Sequence, residues 1–327
     1  MLKAEPHVVE YRTFRNSDPP RLFTLWQNSG LGRAAAQPTS IMAFEVAIFA
    51  LPYFDPKGLV IAEEQGEVVG FAHAGFGFRE DLSSLDYTLG TICVVVVHPS
   101  FRRQGIGTEL VRRAEQYLRD KGATHIQIGQ SRHRDPFYLG IHGGARPSGI
   151  LESDGNMAPF LQHLGYQVSG TVKVMQRDLT TNRDPTNFRL IGLRRQTEIQ
   201  ITEHTVPVTY AWFCRYGNIE SMRFRLTLRK TGQAVAAVTV IGLDHYMRSW
   251  NERGIGLLDM QVAEQYRGQG YGTTLLIESL RRLRSEMSIT LAEIHVPDDQ
   301  PMAGKAIQNA GFIMVESAHV YEQVPVS

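Results

Sequence analysis

Two short segments of the sequence share a pattern of arginine and glycine that suits phosphate binding. The first runs from Arg102 to Gly107 and the second from Arg267 to Gly272, and each matching position is offset by 165 residues. Glycines allow successive backbone N–H groups to converge on one point, and arginine adds a positive charge with several donors. Because the offset is constant, the segments indicate an internal repeat. The sequence therefore predicts a phosphate-binding loop in each half.

The same elements flank both loops, which is what would hold them in position. An apolar, strand-like segment precedes each loop (91–97 and 256–262), and a helix with apolar residues at helical spacing follows it. A second strand comes next (124–128 and 290–296). This strand–helix–strand order predicts parallel pairing. Each copy then closes with a short helix, a glycine–aromatic pair and a last strand.

The remaining segments predict two α/β domains, each built on a mixed sheet. Hairpins are predicted before each loop, at 58–62 with 68–76 and at 224–229 with 234–241, and two helices are predicted near 20–26 and 39–49. A polar, turn-rich stretch at 180–187 suggests a boundary near 184. We therefore expect domains at 1–183 and 184–327, with an insertion at about 131–156 in the first.

The composition is that of an ordinary globular protein of two-domain size. The chain has 327 residues, of which 43% are hydrophobic and 20% charged, and its net charge is +1. This balance gives no electrostatic reason to expect nucleic acid or a membrane surface as a partner. No signal pattern or membrane-length apolar stretch is visible, so a cytoplasmic location is expected. Cys93 and Cys214 lack ligand-like spacing and are expected to be small buried side chains.

Two other kinds of phosphate-binding loop fit the residues poorly. A P-loop needs a lysine after its second glycine, and neither copy has one. A dinucleotide-binding fold needs a third glycine, where Leu110 and Leu275 stand. It also favours an acidic residue after the next strand, where the first copy has Gln130 and Ser131.

Both loops resemble motif A of the GNAT acetyltransferase superfamily, Gln/Arg-x-x-Gly-x-Gly/Ala. The resemblance covers most of each half, and two such domains in one chain resemble the mycothiol synthase-like tandem arrangement. It implies that acetyl-CoA is the cofactor, that the loop amides bind its pyrophosphate, and that the preceding strand pairs with its pantetheine arm. The cofactor-binding residues implied in this way are Val95, Val97, Arg102, Arg103, Gln104, Gly105, Ile106, Gly107 and Thr108 in the first copy, and Met260, Val262, Arg267, Gly268, Gln269, Gly270, Tyr271, Gly272 and Thr273 in the second.

The resemblance fails at one catalytic position. Family members often carry a proton-donating tyrosine four residues before the glycine of the glycine–aromatic pair, but Leu161 and Ile307 stand there. The first copy has 19 more residues than the second between its loop and this pair, and the extra segment is rich in polar and aromatic groups. Tyr138 and His142 are its preferred catalytic pair. The segment also contains His133 and Arg146.

The second copy offers its own pair of titratable groups. Asp259 interrupts an otherwise apolar strand, and His295 lies in the neighbouring one. They could act as base and relay, or they could be a surface pair or a satisfied polar contact in the core. On these observations the first half is slightly favoured as the catalytic half.

We therefore expect an N-acetyltransferase that transfers acetyl from acetyl-CoA to a small-molecule amine by direct attack in a ternary complex. Cys93 is a poor nucleophile, because an apolar setting raises the pKa of a thiol. Two alternatives remain open: a CoA or acetyl-CoA sensor without turnover, and acylation of a peptide or protein amine. No nucleic-acid or membrane partner is expected, and the chain is expected to be a monomer or homodimer.

Overall fold

The computed structural model describes residues 8–203 and 208–323, and it places the strands of both halves in one mixed sheet. The elements of the N-terminal half are β1 (Val9–Thr13), α1 (Pro19–Asn28), α2 (Met42–Phe44) continued by a π-helical turn (Glu45–Phe49), β2 (Leu59–Glu64), β3 (Glu67–Phe78), β4 (Leu85–Val97), α3 (Ile106–Asp120), β5 (His125–Ile128), β6 (Ile150–Leu151), α4 (Met157–His163) and β7 (Tyr166–Asp178).

The C-terminal half repeats this order with a shorter helical region before its hairpin. Its elements are α5 (Phe188–Gln196), β8 (Thr197–Thr202), α6 (Tyr210–Tyr216), β9 (Ser221–Leu228), β10 (Ala234–Gly242), α7 (Met247–Trp250), β11 (Gly254–Val262), α8 (Tyr271–Met287), β12 (Leu291–Pro297), α9 (Pro301–Asn309) and β13 (Ile313–Gln323).

The predicted strands and helices around each loop are confirmed. β4 pairs with β5 in parallel, as β11 does with β12, while the hairpins β2–β3 and β9–β10 are antiparallel. α3 buries Ile106, Leu110, Val111, Ala114 and Leu118 on one face, and the chain leaves this helix through Gly122 at φ +104°. The mixed α/β fold with two repeats follows from local patterns that the sequence displays.

The last strand of each half lies between strands of the other half. The sheet order is β1-β2-β3-β4-β5-β13-β7-β12-β11-β10-β9-β8, and β6 pairs with β13. The C-terminal strand β13 therefore joins β5 to β7, and β7 joins β13 to β12. All three of these contacts are antiparallel. The two halves consequently share one sheet.

Helices cover the two faces of this sheet with separate apolar clusters. On one face α3 and α8 pack over their own halves, where they bury residues such as Leu110 and Leu275. On the other face a single cluster joins α1, α2, the inserted segment and α6, and it includes Trp26, Tyr138 and Tyr216. Cys93 belongs to this cluster, and Cys214 is also buried, as expected. In residues 8–203 and 208–323, no helix is both long and apolar enough to cross a membrane.

Candidate cofactor cleft and acceptor pocket

The two phosphate loops have the same backbone conformation. Arg103 and Gly268 have φ +64° and +70°, and Gly105 and Gly270 have φ +82° and +91°. Such positive values favour glycine, and the turn they make leads directly into α3 or α8. The first amide N–H groups of a helix have no partner within the helix, so each loop presents donors at a positive dipole end. Both predicted loops are thus formed.

In the N-terminal half, side chains of the protein occupy the space beside the loop. A Cβ atom placed on Gly107 would lie 3.2 Å from Cζ of Phe160 in α4. The guanidinium of Arg102 donates to the carbonyl oxygens of Val97 (3.0 Å) and Ser29 (2.6 Å). Glu109 lies in the first turn of α3, where its carboxylate pairs with Arg112 and Arg113. This loop is poorly arranged for a pyrophosphate.

The other cofactor-binding residues predicted for the first copy are packed in the core, hydrogen-bonded within the loop or exposed to solvent. Val95 and Val97 pack against the apolar cluster under α3, and Ile106 is buried within it. The Gln104 amide donates to the carbonyl of Ser100 at 3.3 Å, within the loop itself. Thr108 is exposed.

In the C-terminal half, the equivalent loop opens into a cleft of about 1440 Å³. A Cβ on Gly272 would lie 3.2 Å from Cγ2 of Val262 and 3.8 Å from Cβ of Ala306, the residue that replaces the phenylalanine of the first copy. Arg267 is exposed and donates to the Val262 carbonyl at 3.2 Å. The first turn of α8 carries no acidic residue. Of the predicted cofactor residues in this half, those lining the cleft are Met260, Val262, Arg267, Gly268, Gly270, Tyr271, Gly272 and Thr273. The amide of Gln269 donates to the Gln265 carbonyl at 2.7 Å.

A smaller pocket of about 90 Å³ continues this cleft into the sheet. It lies where β11 and β12 separate, since the last registered pair of these strands is Leu257 with Ile294. Arg132, Met260, Gln300 and Ala303 line both spaces, which makes them contiguous. We call the smaller space the inner pocket.

A β-bulge lies at the junction between the cleft and the inner pocket. Gln261 pairs with Ala237 and Leu258 with Thr239, so Asp259 and Met260 together face the single residue between those partners. Asp259 has φ +48°, an unusual conformation for a residue with a side chain. Bulges break the regular ladder and leave backbone groups available beside functional sites.

His295 lines the inner pocket and is held by a buried carboxylate. Its Nε2 lies 3.1 Å from Oε1 of Glu293, two residues earlier on the same face of β12. A carboxylate only accepts hydrogen bonds, so Nε2 carries the proton and Nδ1 is left as an acceptor. This Nδ1 is buried, and no hydrogen-bond partner for it exists among the described residues.

Glu293 is itself fixed by groups from the N-terminal half. Its Oε2 accepts from Arg33 at 2.8 Å, and its Oε1 accepts from the Ala145 N–H at 2.8 Å. Burial alone would raise the pKa of Glu293, but the hydrogen bond from His295, the charge of Arg33 and the Ala145 N–H lower it below the ordinary value. The carboxylate is therefore charged at neutral pH and keeps the imidazole oriented. The Glu-x-His spacing was visible in the sequence, but Glu293 was not identified there.

Asp259 belongs to an ion-pair network. Its carboxylate accepts from Arg146 at 2.7 Å and from the Tyr216 hydroxyl at 2.9 Å. Burial would raise its pKa, but the charges of Arg146 and Arg215, the Tyr216 hydroxyl and the charge of Arg223 lower the pKa to about 2. Asp259 is thus a poor proton acceptor at neutral pH.

The segment inserted in the N-terminal half forms one wall of the inner pocket. Arg132, Arg146 and Ser148 of this segment line the pocket together with β11 and β12. Arg146 also pairs with Asp135 at 3.2 Å, and Asp135 forms a second ion pair with Arg215 of α6. These contacts bring both halves to one site.

The preferred catalytic pair lies elsewhere. Tyr138 is fully buried, stacks on Trp26 with ring centroids 6.0 Å apart, and its hydroxyl lies 3.0 Å from Nδ1 of His73. His142 contacts the edge of the same tryptophan. Neither residue lines the cleft or the inner pocket. The geometry does not support the expectation that the first half is the catalytic one, because the part of the insertion that holds Tyr138 packs into the core. The parts that line a pocket, at Arg132, Arg146 and Ser148, line the inner pocket beside β11 and β12 of the C-terminal half.

Comparison with known proteins agrees with this architecture. The family model described as acetyltransferase (GNAT) family matches residues 25–140 and 193–312, most of both halves. A tandem GNAT protein from the clavulanic acid biosynthesis pathway, solved without acetyl-CoA, is 16% identical with a TM-score of 0.63 over 98% of this chain and 100% of that one. A GCN5-related N-acetyltransferase from Sphaerobacter thermophilus is 16% identical with a TM-score of 0.62 over 96% of this chain and 95% of that one.

A third similar structure is the GCN5-related glucosamine N-acetyltransferase region of a fungal multi-domain GH3 β-N-acetylglucosaminidase. It is 16% identical with a TM-score of 0.70, and the match covers 97% of this chain but only 38% of that one. At these identities the likenesses show a shared fold.

Proposed function

Because the chain belongs to the acetyltransferase (GNAT) family, we propose that it transfers acetyl from acetyl-CoA to the amine of a small molecule, using the cleft of its C-terminal half. The observation that carries this proposal is the continuity of that cleft. It runs from the loop at Gly270, past the bulge at Asp259, to the inner pocket with His295. No comparable role is proposed for the N-terminal loop, since Phe160 lies against Gly107 and the Arg102 guanidinium is held by the carbonyls of Val97 and Ser29.

The residues of the cleft fit a CoA molecule. The amides of the loop and the first turn of α8 would bind the pyrophosphate, with Arg267 supplying charge. Where the first copy has Phe160 beside its loop, the C-terminal half has the smaller Ala306. The polar edge of β11 from Met260 to Val262 would pair with the amide groups of the pantetheine arm, as an added strand does. The thioester would then lie beside the bulge.

The inner pocket would hold the amine. An alkylamine of pKa about 10 is mostly protonated at neutral pH and must lose a proton to become a nucleophile. That first proton would leave to bulk water, and Nδ1 of His295 would accept the second proton, which the nitrogen loses as its bond to the acetyl carbon forms, with Glu293 stabilising the imidazolium. The amine nitrogen forms a bond to the acetyl carbon, and the bond from that carbon to the CoA sulfur breaks. A backbone N–H at the bulge would stabilise the oxyanion between these events.

The departing thiolate must obtain a proton without a tyrosine, because Ile307 lines the pocket at that position. We propose that His295 returns the proton it has taken, directly or through water. The volume of about 90 Å³ favours a small acceptor over a folded protein, although an amine at the end of a chain could also enter.

Binding of acetyl-CoA, measured by calorimetry, tests the assignment of the working half. In Gly272→Glu, a carboxylate at the pyrophosphate position should abolish binding. The matched variant Gly107→Glu changes the equivalent residue of the other loop and should bind as the wild type does, provided that both retain the wild-type thermal midpoint. Two sites in the wild type, or loss of binding only in Gly107→Glu, would contradict the proposal.

A further inference from the structure

The segment that joins the two halves lies along the outer end of the C-terminal cleft. Pro185, Asn187, Arg189 and Leu190 all line the cleft, opposite the start of α8. The guanidinium of Arg189 donates to the Gly268 carbonyl at 3.3 Å. A Cβ atom placed on Gly270 would lie 3.6 Å from Nε of Arg189, so this arginine is in direct reach of the phosphate loop.

This arrangement exists at only one of the two loops. A Cβ placed on Gly105, the equivalent glycine of the N-terminal half, would meet no atom of residues 8–203 or 208–323 within 4 Å. The difference arises because α5 packs against α8, with Leu193 lying 3.2 Å from the same Gly270 position. The joining segment therefore adds a charged group that motif A itself does not contain.

The joining segment is also fixed in place before any ligand binds. Asp184 forms ion pairs with Arg281 (3.0 Å) and Arg284 (3.1 Å) of α8 and with Arg177 at the end of β7. Burial would raise the pKa of Asp184, but these three arginines lower it to about 2, so the pairing persists at neutral pH. Asn187 then caps α5 by accepting from the Leu190 N–H at 2.9 Å.

The order of groups in CoA indicates which of them Arg189 would meet. The pantetheine arm extends from the loop inward along β11, so the ribose and its 3′-phosphate must extend outward from the loop. The outer end of the cleft is where the joining segment lies. A phosphomonoester carries close to two negative charges and three acceptor oxygens, which suits a guanidinium.

We infer that Arg189 binds the 3′-phosphate of CoA, so that the joining segment is part of the cofactor site. This inference rests on the proposed function, because it assumes that CoA occupies the C-terminal cleft. The tandem arrangement would thus contribute to recognition of the cofactor. The segment that connects the halves binds a phosphate of CoA that the Arg-x-x-Gly-x-Gly loop does not reach.

Calorimetry with CoA and with 3′-dephospho-CoA tests the inference on the full-length protein. The wild type should bind CoA at least about tenfold more tightly than 3′-dephospho-CoA, as expected for a charge-assisted contact. In Arg189→Gln this ratio should fall close to one, through weaker binding of CoA alone. Arg189→Lys should retain part of the ratio. The control is Arg194→Gln, since Arg194 lies further along the same helix and pairs with Glu278 at 3.4 Å; it should behave as the wild type does.

Each other outcome has a distinct meaning. If Arg189→Gln weakens both ligands by the same factor, Arg189 contacts the pyrophosphate and the inference is wrong. An unchanged ratio in Arg189→Gln would likewise overturn it while leaving the proposed cofactor site intact. If the wild type binds neither ligand, the proposed function fails together with the inference.

Discussion

His295 and Asp259 stand on neighbouring strands beside the same pocket, yet their surroundings give them opposite chemistry. Asp259 accepts from Arg146 and Tyr216, and its pKa falls to about 2, so it holds a charge but has little tendency to take a proton. Nε2 of His295 is hydrogen-bonded to Glu293, and its Nδ1 has no hydrogen-bond partner among the described residues. A free imidazole nitrogen fixed by a carboxylate is the arrangement that general bases use.

Replacing His295 by glutamine should therefore lower turnover and leave cofactor binding unchanged. We expect the rate of thiol release from acetyl-CoA, with whichever small amine of a test panel is acetylated, to fall about a hundredfold or more. Calorimetry should show acetyl-CoA binding within about twofold of the wild type. His125→Gln, at an exposed site on β5, is the matched control and should keep full activity.

Full turnover in His295→Gln would remove the histidine from the mechanism. If the wild type binds acetyl-CoA but releases no thiol with any amine, the result would favour the sensor alternative.

At the scale of single elements, the inserted segment both lines the inner pocket, through Arg132, Arg146 and Ser148, and packs into the core. Its polar residues suggested an open acceptor loop, whereas Phe137, Tyr138 and Ile141 pack into the core against α1 and α2. The segment carried both signals, because a run of charged and polar residues (132–135) is followed by a run rich in aromatic and aliphatic ones (137–141). Which set faces inward depends on the neighbours, and these lie about a hundred residues away in each direction.

The burial of the insertion has a measurable consequence through His73. The His73 side chain is fully buried and is hydrogen-bonded to the Tyr138 hydroxyl. Burial lowers its pKa to about 3. The unfolded chain, with an ordinary pKa of about 6.5, binds a proton at mildly acidic pH when the folded protein does not. The contribution of His73 to stability is therefore present above pH 6.5 and is lost as the pH falls towards 3.

We expect the free energy of unfolding to fall as the pH is lowered from 7 to 4.5, with His73 contributing up to about 1.4 kcal/mol per pH unit below its ordinary pKa. In this window carboxylates such as Glu63 and Asp259, whose pKa values are about 2, stay charged in the folded protein. His73→Asn should show a shallower fall in urea unfolding series, and the exposed His125→Asn should keep the wild-type slope. Equal slopes in all three proteins would show that His73 is not buried in its neutral form.

The loops show why a motif alone did not identify the working half. Both copies form the predicted turn, since arginine and glycine at fixed positions determine it locally. The difference lies in residues outside the motif: Phe160 against Ala306, and Glu109 against Thr274. A comparison of the two copies position by position would have revealed both substitutions. The contact of Arg189 with the second loop has no such signal, because it depends on how α5 packs.

At the scale of the whole molecule, the exchange of last strands could not be read from the sequence. Every strand in the shared sheet has the alternation or apolar run of an ordinary strand, and parallel crossovers follow from chain order. The position of β13 between β5 and β7 instead reflects pairing over about 150 residues and more. Such non-local pairing leaves no local pattern, so the sequence predicted two domains but not that their strands share one continuous sheet.

The shared sheet predicts that neither half is stable alone. β7 pairs with β13 from Tyr166–Gln323 to Gln176–Ile313 and with β12 on its other edge. Expression of residues 1–182 alone would therefore leave one edge of β5 and both edges of β7 without partners, and unpaired edges promote aggregation. We expect 1–182 and 183–327 to be aggregated or unfolded when each is produced separately, and to form one stable complex when they are produced together. Size-exclusion chromatography and circular dichroism of the three samples measure this directly. A monomeric 1–182 fragment with a cooperative thermal transition would contradict it, because such a fragment would have to complete its own sheet without β13.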